Sequence, residues 1–193
     1  MRYELVAIGS SWGGLFALQS VLGELPEDFA AAVVVAQHRS ARADDSLLQG
    51  LLRARARMVV RDAEDKDALA PGVVLLAPPD YHLLVEPGCV ALSCDEPVAF
   101  SRPSIDVMFE TAADAYRERL VGVVLTGSNA DGAAGLAAIR RRGGVVLVQD
   151  PAEAERSEMP RAALNAVPEA QVVPLAEIGA QLTKIVGTAG RVA

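Results

Sequence analysis

Residues 3–36 read YELVAIGSSWGGLFALQSVLGELPEDFAAAVVVA. A short apolar run, residues 3–8, ends in a glycine-flanked polar turn. Residues 14–22 then carry Leu15, Leu18, Val21 and Leu22 at helical spacing, and Gly23 and Pro26 stop the pattern. Residues 30–36 are apolar without alternation, as a strand buried on both faces of a parallel sheet requires. Strand, turn, helix and buried strand make a βαβ unit, which predicts an α/β fold with a doubly wound, mostly parallel sheet and helices on both faces.

The alternation recurs outward from this unit. Asp45 is placed to cap a helix through about residue 55, with Leu47, Leu48, Leu51 and Leu52 on its inner face. Residues 73–77, 82–85 and 89–93 are separated by Pro78-Pro79-Asp80-Tyr81 and Pro87-Gly88, so this region reads as a small antiparallel hairpin unit attached to the main sheet. Ser104 is a good N-cap for a helix through about residue 119. Strand 121–125, helix 131–142 closed by Gly143, strand 145–148, a helix near 161–166, a strand near 171–173 and a helix over 177–186 follow. With no repeats or linkers, residues 1–193 are expected to form a single domain. In such folds ligands bind outside the carboxyl ends of the strands, and the search for chemistry starts there.

Bulk properties narrow the function classes. A formal net charge of −7 argues against a surface that tracks nucleic-acid phosphates. No uncharged apolar stretch reaches membrane-spanning length, and no signal-peptide pattern opens the chain, so the cytoplasm is the expected location. The two cysteines, Cys89 and Cys94, lie at an odd separation in one apparent strand; they should face opposite sides, and neither a disulfide nor a metal site is expected.

Three strands end in polar loops: Gly9-Ser10-Ser11-Trp12-Gly13-Gly14, Gln37-His38-Arg39-Ser40, and Thr126-Gly127-Ser128-Asn129-Ala130-Asp131-Gly132. Side by side in a parallel sheet, these would bring a serine, a histidine and an aspartate to one edge. Nucleophilic acyl transfer needs those types: a hydroxyl, a base for its proton, and a carboxylate to orient the imidazole. The first loop fits G-x-S-x-G through Gly9, Ser11 and Gly13, and its glycines relieve a sharp strand-to-helix turn. A plain glycine-rich turn or phosphate-binding loop would look similar, but no Gly-Lys-Ser/Thr follows and Ser11 occupies the second glycine position of G-x-G-x-x-G. Only His38 and His82 can supply a histidine base, and His38 closes a buried strand on the expected edge. A hydrogen-bonded histidine at a strand end is the alternative. Asp131 is placed for the acid, for a helix N-cap, or for both; Asp106, in a first helical turn, competes with it. The order Ser, His, Asp departs from that of ordinary α/β-hydrolases.

These residues resemble the chemotaxis-specific protein-glutamate methylesterases (CheB). The resemblance spans nearly the whole chain, through Ala7-Ile8-Gly9-Ser10-Ser11-Trp12-Gly13-Gly14, Gln37-His38, Ala63-Glu64-Asp65, Pro71-Gly72, Ala77-Pro78, Arg102-Pro103-Ser104-Ile105-Asp106-Val107, Leu125-Thr126-Gly127, Asn129-Ala130-Asp131-Gly132-Ala133-Ala134-Gly135, Gln149-Asp150 and Met159-Pro160-Arg161. It implies a catalytic Ser11, His38 and Asp131 on a doubly wound sheet with an antiparallel hairpin. It further implies hydrolysis of glutamate γ-methyl esters, and in some members deamidation of glutamines, on chemoreceptors or similar signalling proteins, without a cofactor. Full-length family members carry a phospho-receiver domain, whereas this chain begins at the first catalytic-domain strand. Trp12 stands where the family often has threonine, Ser128 where it often has methionine, and residues 151–158 (PAEAERSE) are unusually acidic.

On this reading the Trp12 N–H and a second donor from the loop around Ser128 stabilise the oxyanion. Trp12, Arg102 and Arg161 are candidates for the substrate rim, with structural roles as their alternatives. A non-catalytic partner-binding module of the same fold is the rival for the whole chain, and nucleotide binding at the glycine turn is a weaker one.

Overall fold

The computed structural model describes residues 3–39 and 45–188, with Asp45 and Ser46 described by backbone only. Seven parallel strands form the central sheet: β1 (Leu5–Ser10), β2 (Ala32–Gln37), β3 (Val59–Asp62), β4 (Val73–Leu76), β7 (Leu120–Val124), β8 (Val145–Gln149) and β9 (Gln171–Val173), in the order β3-β4-β2-β1-β7-β8-β9. Strands β5 (His82–Glu86) and β6 (Cys89–Ser93) make a separate antiparallel hairpin. The expected doubly wound sheet with a small hairpin is therefore the observed architecture.

Alternate residues of each strand feed two cores. Val6, Ile8, Val33, Val35, Val121 and Val123 pack against α1 (Gly14–Glu24), α2 (Asp45–Arg53) and α6 (Leu175–Val186). Leu5, Ala7, Val34, Leu120 and Val124 pack against the hairpin, α3 (Ile105–Tyr116), α4 (Ala133–Arg141) and α5 (Glu158–Ala166). Because both faces are covered, the central strands read as continuous apolar runs. Among the described residues no helix is long and apolar enough to cross a membrane.

Four expectations need correction. Strand β3 has no counterpart in the sequence reading, because a four-residue edge strand with Val59 exposed leaves no apolar run to notice. Strand β4 belongs to the main sheet, paired in parallel with β2 and β3, and only β5 and β6 form the hairpin. Parallel partners are distant in sequence, so a local pattern cannot name them.

On α2, Leu52 is buried and Leu48 half-buried, while Leu47 is 62% exposed and Leu51 sits at the surface. Neighbouring residues on a helix lie about 100° apart, so one narrow contact cannot bury all four leucines. The expected cap at Asp45, and the end of the second polar loop at Ser40, lie outside the described residues. Cys94 falls beyond the end of β6, so the two free thiols do not share a strand.

The topology positions the site. From β1 the chain moves to β2 on one side and returns at β7 on the other, with α1 and α4 on opposite faces. That reversal opens a crevice at the carboxyl ends of β1 and β7. Ser10 pairs with Gln37 and Gly9 with Val124, so the three polar loops leave the sheet at one level.

Candidate active site

Ser11 leaves β1 at a turn tied on both sides: its N–H donates to Thr126 O (2.9 Å), and its carbonyl accepts from Gly14 N–H (2.9 Å). Gly13 is in the left-handed region (φ 77°), which costs a side-chain-bearing residue and lets the turn pass directly into α1. Gln37 fixes the loop from β2. Its Nε2 donates to the carbonyls of Ser11 (2.8 Å) and His38 (2.9 Å), and its Oε1 accepts from Ser10 Oγ (2.6 Å). Gly127 lies so close that a Cβ there would sit 2.8 Å from Ser11 Cβ and 1.9 Å from Met159 Sδ.

His38 follows β2 directly, its backbone N–H donating to Ser10 O (3.0 Å). One ring nitrogen, Nδ1, is 3.2 Å from Ser11 Oγ, and the other, Nε2, is 2.7 Å from Asp131 Oδ2. A carboxylate only accepts, so Nε2 carries the hydrogen and Nδ1 presents its lone pair to the serine hydroxyl. The serine, histidine and aspartate expected at one edge are thus in hydrogen-bonded sequence.

Asp131 does not cap the helix that follows it. α4 begins at Ala133, after Gly132 in the left-handed region, with no side-chain cap. Instead Asp131 reaches the N-terminus of α3. Its Oδ2 also accepts from Ile105 N–H (2.8 Å), and its Oδ1 accepts from Asp106 N–H (2.9 Å) and Ser104 Oγ (3.0 Å). Burial pushes its carboxyl upward, but hydrogen bonds from His38 and from the Asp106 and Ile105 amides outweigh this and hold it below the usual carboxylate range.

Asp106 does not compete for the imidazole. Its carboxylate faces the other way and accepts from Gly135 N–H in the first turn of α4 (2.7 Å). Burial, reinforced by the charge of Asp131, pushes it up to about 6. His82 is buried (2% exposed) away from the nucleophile. Its Nδ1 accepts from Ser104 N–H (3.1 Å) and its Nε2 donates to Glu96 O (3.2 Å), so it braces the segment that holds Asp131.

Trp12 is 59% exposed beside the nucleophile, which excludes a core-capping role. Its indole N–H donates to Glu155 (3.0 Å) and the Arg156 guanidinium lies over its ring (5.5 Å), so residues of the acidic segment form one wall of the cleft at Ser11. Among the described residues no backbone carbonyl accepts from the Trp12 N–H, which keeps it available as a donor. Ser128 is exposed in the loop facing it. The Gly127 N–H is already given to Arg156 O (3.1 Å).

Arg102 lines the cleft on the far side of His38, but its guanidinium is engaged by Asp80 (2.6 and 3.0 Å) and by the carbonyls of Cys94 and Asp95. Arg161 stands exposed in the first turn of α5, and among the described residues its side chain makes no hydrogen bond or ion pair with the other candidates.

The sequence reading did not single out Gln37, Asn129 or His82 as supports. The first two stand in the same loops as His38 and Asp131, which was the available signal.

A family model for the CheB methylesterases matches residues 6–182. The chain belongs to the CheB methylesterase family. Its fold matches the CheB methylesterase catalytic domain of Thermotoga maritima with a TM-score of 0.90 at 30% identity, over 96% of this chain and all of that one. A Leptospira interrogans relative, provisionally named a protein-glutamate methylesterase/protein-glutamine glutaminase, is 44% identical over 92% of both chains. A Symbiobacterium thermophilum protein of the same name is 40% identical, and there this CheB-family chain spans about half of the relative's length.

Proposed function

We propose that this protein is a serine hydrolase that removes methyl groups from glutamate γ-methyl esters, and deamidates glutamines, on chemoreceptor-like signalling proteins in the cytoplasm. One observation carries the reading: Ser11 Oγ, the His38 ring and the Asp131 carboxylate stand in hydrogen-bonded sequence at the carboxyl ends of adjacent strands. The names borne by the Leptospira and Symbiobacterium relatives supply the substrate class.

His38 Nδ1 takes the Ser11 proton as Oγ bonds to the ester carbonyl carbon, and the carbonyl π pair moves onto oxygen. Asp131 holds the ring and stabilises the imidazolium. The tetrahedral intermediate collapses, the C–OCH₃ bond breaks, and the proton on Nδ1 leaves with methanol. Water then bonds to the acyl carbon as His38 Nδ1 takes its proton; the bond from that carbon to Ser11 Oγ breaks, His38 returns the proton to Oγ, and the glutamate leaves as an acid that ionises. For a glutamine substrate the leaving group is ammonia. The Trp12 N–H and a donor from the loop around Ser128 face the oxyanion. Trp12 and Arg161 remain rim candidates, whereas the bonds of Arg102 make it a support of the cleft wall.

Methanol release from methylated receptor tests this. Wild-type protein is expected to release methanol, and Ser11→Ala and His38→Ala to lose about 10⁴-fold or more in kcat while staying folded. Folded Ser11→Ala with near wild-type turnover would sink the proposal. Labelling of wild type by a fluorophosphonate at Ser11, and its absence in Ser11→Ala, is expected alongside.

A further inference from the structure

Nδ1 of His38 has one lone pair and two donors aimed at it. Ser11 Oγ is 3.2 Å away, and the side-chain amide nitrogen of Asn129 is 3.4 Å away. The orientation of that amide is fixed independently. Asn129 Oδ1 accepts from the backbone N–H of Asp131 (3.1 Å), which can only donate, so the NH₂ group is the end that faces His38 Nδ1. The residue is exposed at the cleft and contributes nothing to either apolar core.

We propose that Asn129 is a catalytic residue whose side-chain amide donates to the oxyanion formed on Ser11, as the second donor beside the Trp12 N–H. The inference rests on Ser11 being the nucleophile. In the resting site the Asn129 N–H leans toward the unprotonated Nδ1. When Oγ bonds to the carbonyl carbon, its proton moves to Nδ1, which then becomes a donor and no longer accepts from Asn129. The amide loses that acceptor at the step in which a full negative charge appears on the neighbouring carbonyl oxygen. A donor that gains a stronger acceptor only in the transition state raises kcat with little effect on substrate binding. The short Asx link to Asp131 ties this donor to the backbone of the residue that orients His38, so donor and orienting acid are placed by one loop.

Gly127 cannot serve in its place, because its N–H is bound to Arg156 O. Ser128 lies in the same loop, but among the described residues its side chain makes no hydrogen bond to Ser11 or His38.

Two substitutions separate catalysis from support. Asn129→Ala removes both the amide donor and the Asx acceptor; Asn129→Asp keeps the acceptor for Asp131 N–H and replaces the donor with a carboxylate oxygen. Steady-state methanol release, the rate of fluorophosphonate labelling, and Tm are measured for both beside wild type and Ser11→Ala. Loss of one oxyanion donor typically costs about 10²–10³ in kcat. That loss is expected in Asn129→Ala with KM within a few-fold and Tm nearly unchanged. Asn129→Asp should lose at least as much, and labelling should slow in parallel.

Wild-type kcat in either variant, or a loss in Asn129→Ala restored by Asn129→Asp, would overturn the proposal and leave Asn129 a loop support. Activity retained in Ser11→Ala would overturn the nucleophile itself, a result distinguishable from failure of Asn129 alone.

Discussion

Asp131 takes four hydrogen bonds on two oxygens: His38 and Ile105 on one, Ser104 and Asp106 on the other. Each oxygen faces one backbone N–H, which can only donate, and this decides what an isosteric change would do. In Asp131→Asn, whichever position receives the NH₂ group meets a backbone N–H that can only donate, from Ile105 or from Asp106, so a buried donor clash joins the altered partnership with the imidazole. Removing one partner of a buried polar group costs about 1–3 kcal/mol. Asp131→Asn is therefore expected to lower the free energy of unfolding by that order, measured by urea titration, and to lower kcat by about 10⁴. Ser11→Ala should lower kcat comparably with far less effect on stability. If Asp131→Asn unfolded at the wild-type urea midpoint, the account of its four donors would be wrong.

Helices α3 and α4 are joined at their N-termini by two carboxylates that cross. Asp131, just before α4, accepts from the first amides of α3, and Asp106, in the first turn of α3, accepts from Gly135 in α4. Each helix has its acidic cap supplied by the other, at the end where the helix dipole favours negative charge. Burial above all, and then the nearby charge of Asp131, push the Asp106 carboxyl up to about 6.

The folded value thus lies above the unfolded one of about 4. Between these values the native state holds a proton that the unfolded state has released, so this group's contribution to stability falls as pH rises from about 4 to about 6, then stays low. Asp131 has the opposite sign: its depressed carboxyl contributes stability that is lost as pH falls below the ordinary carboxylate range. In Asp106→Asn the decline between pH 4 and 6 is expected to vanish, whatever the variant's absolute stability. Urea melts across pH 4–8 would show it, and an unchanged pH profile would refute the raised Asp106 carboxyl.

Over the whole molecule, the three proposed catalytic residues depend on one sheet. Ser11 follows β1, His38 follows β2, and Asp131 follows β7, with both cores closing on those strands. The hairpin adds Leu83, Val85 and Val90 to the same core as α3. A structure built this way is expected to unfold as a single cooperative unit, with esterase activity and far-UV circular dichroism lost in one coincident thermal transition. An earlier loss of activity with the sheet intact would show that the hairpin and α3 open separately.

The apolar run of residues 30–36, the glycine turn around Ser11 and the position of His38 at a strand end were legible as sequence, because burial on both faces and a sharp strand-to-helix turn restrict residue type locally. That was enough to predict the fold class and to assemble Ser11, His38 and Asp131 as candidates. Strand β3 and the sheet membership of β4 were not legible, since parallel pairing joins segments far apart in sequence and leaves only weak local marks.

The same reason governs the finer parts of the site. Asp131 reads as a cap for its own helix, and only the packing of α3 against α4 turns it toward Ile105 and Asp106 instead. Gln37, His82 and Asn129 are ordinary polar residues until the fold places their hydrogen-bonding atoms around the Ser11–His38–Asp131 sequence. Residue type and local periodicity determined which groups could do the chemistry; directional hydrogen bonds between distant loops, which exist only once the sheet has formed, decided how those groups are aimed.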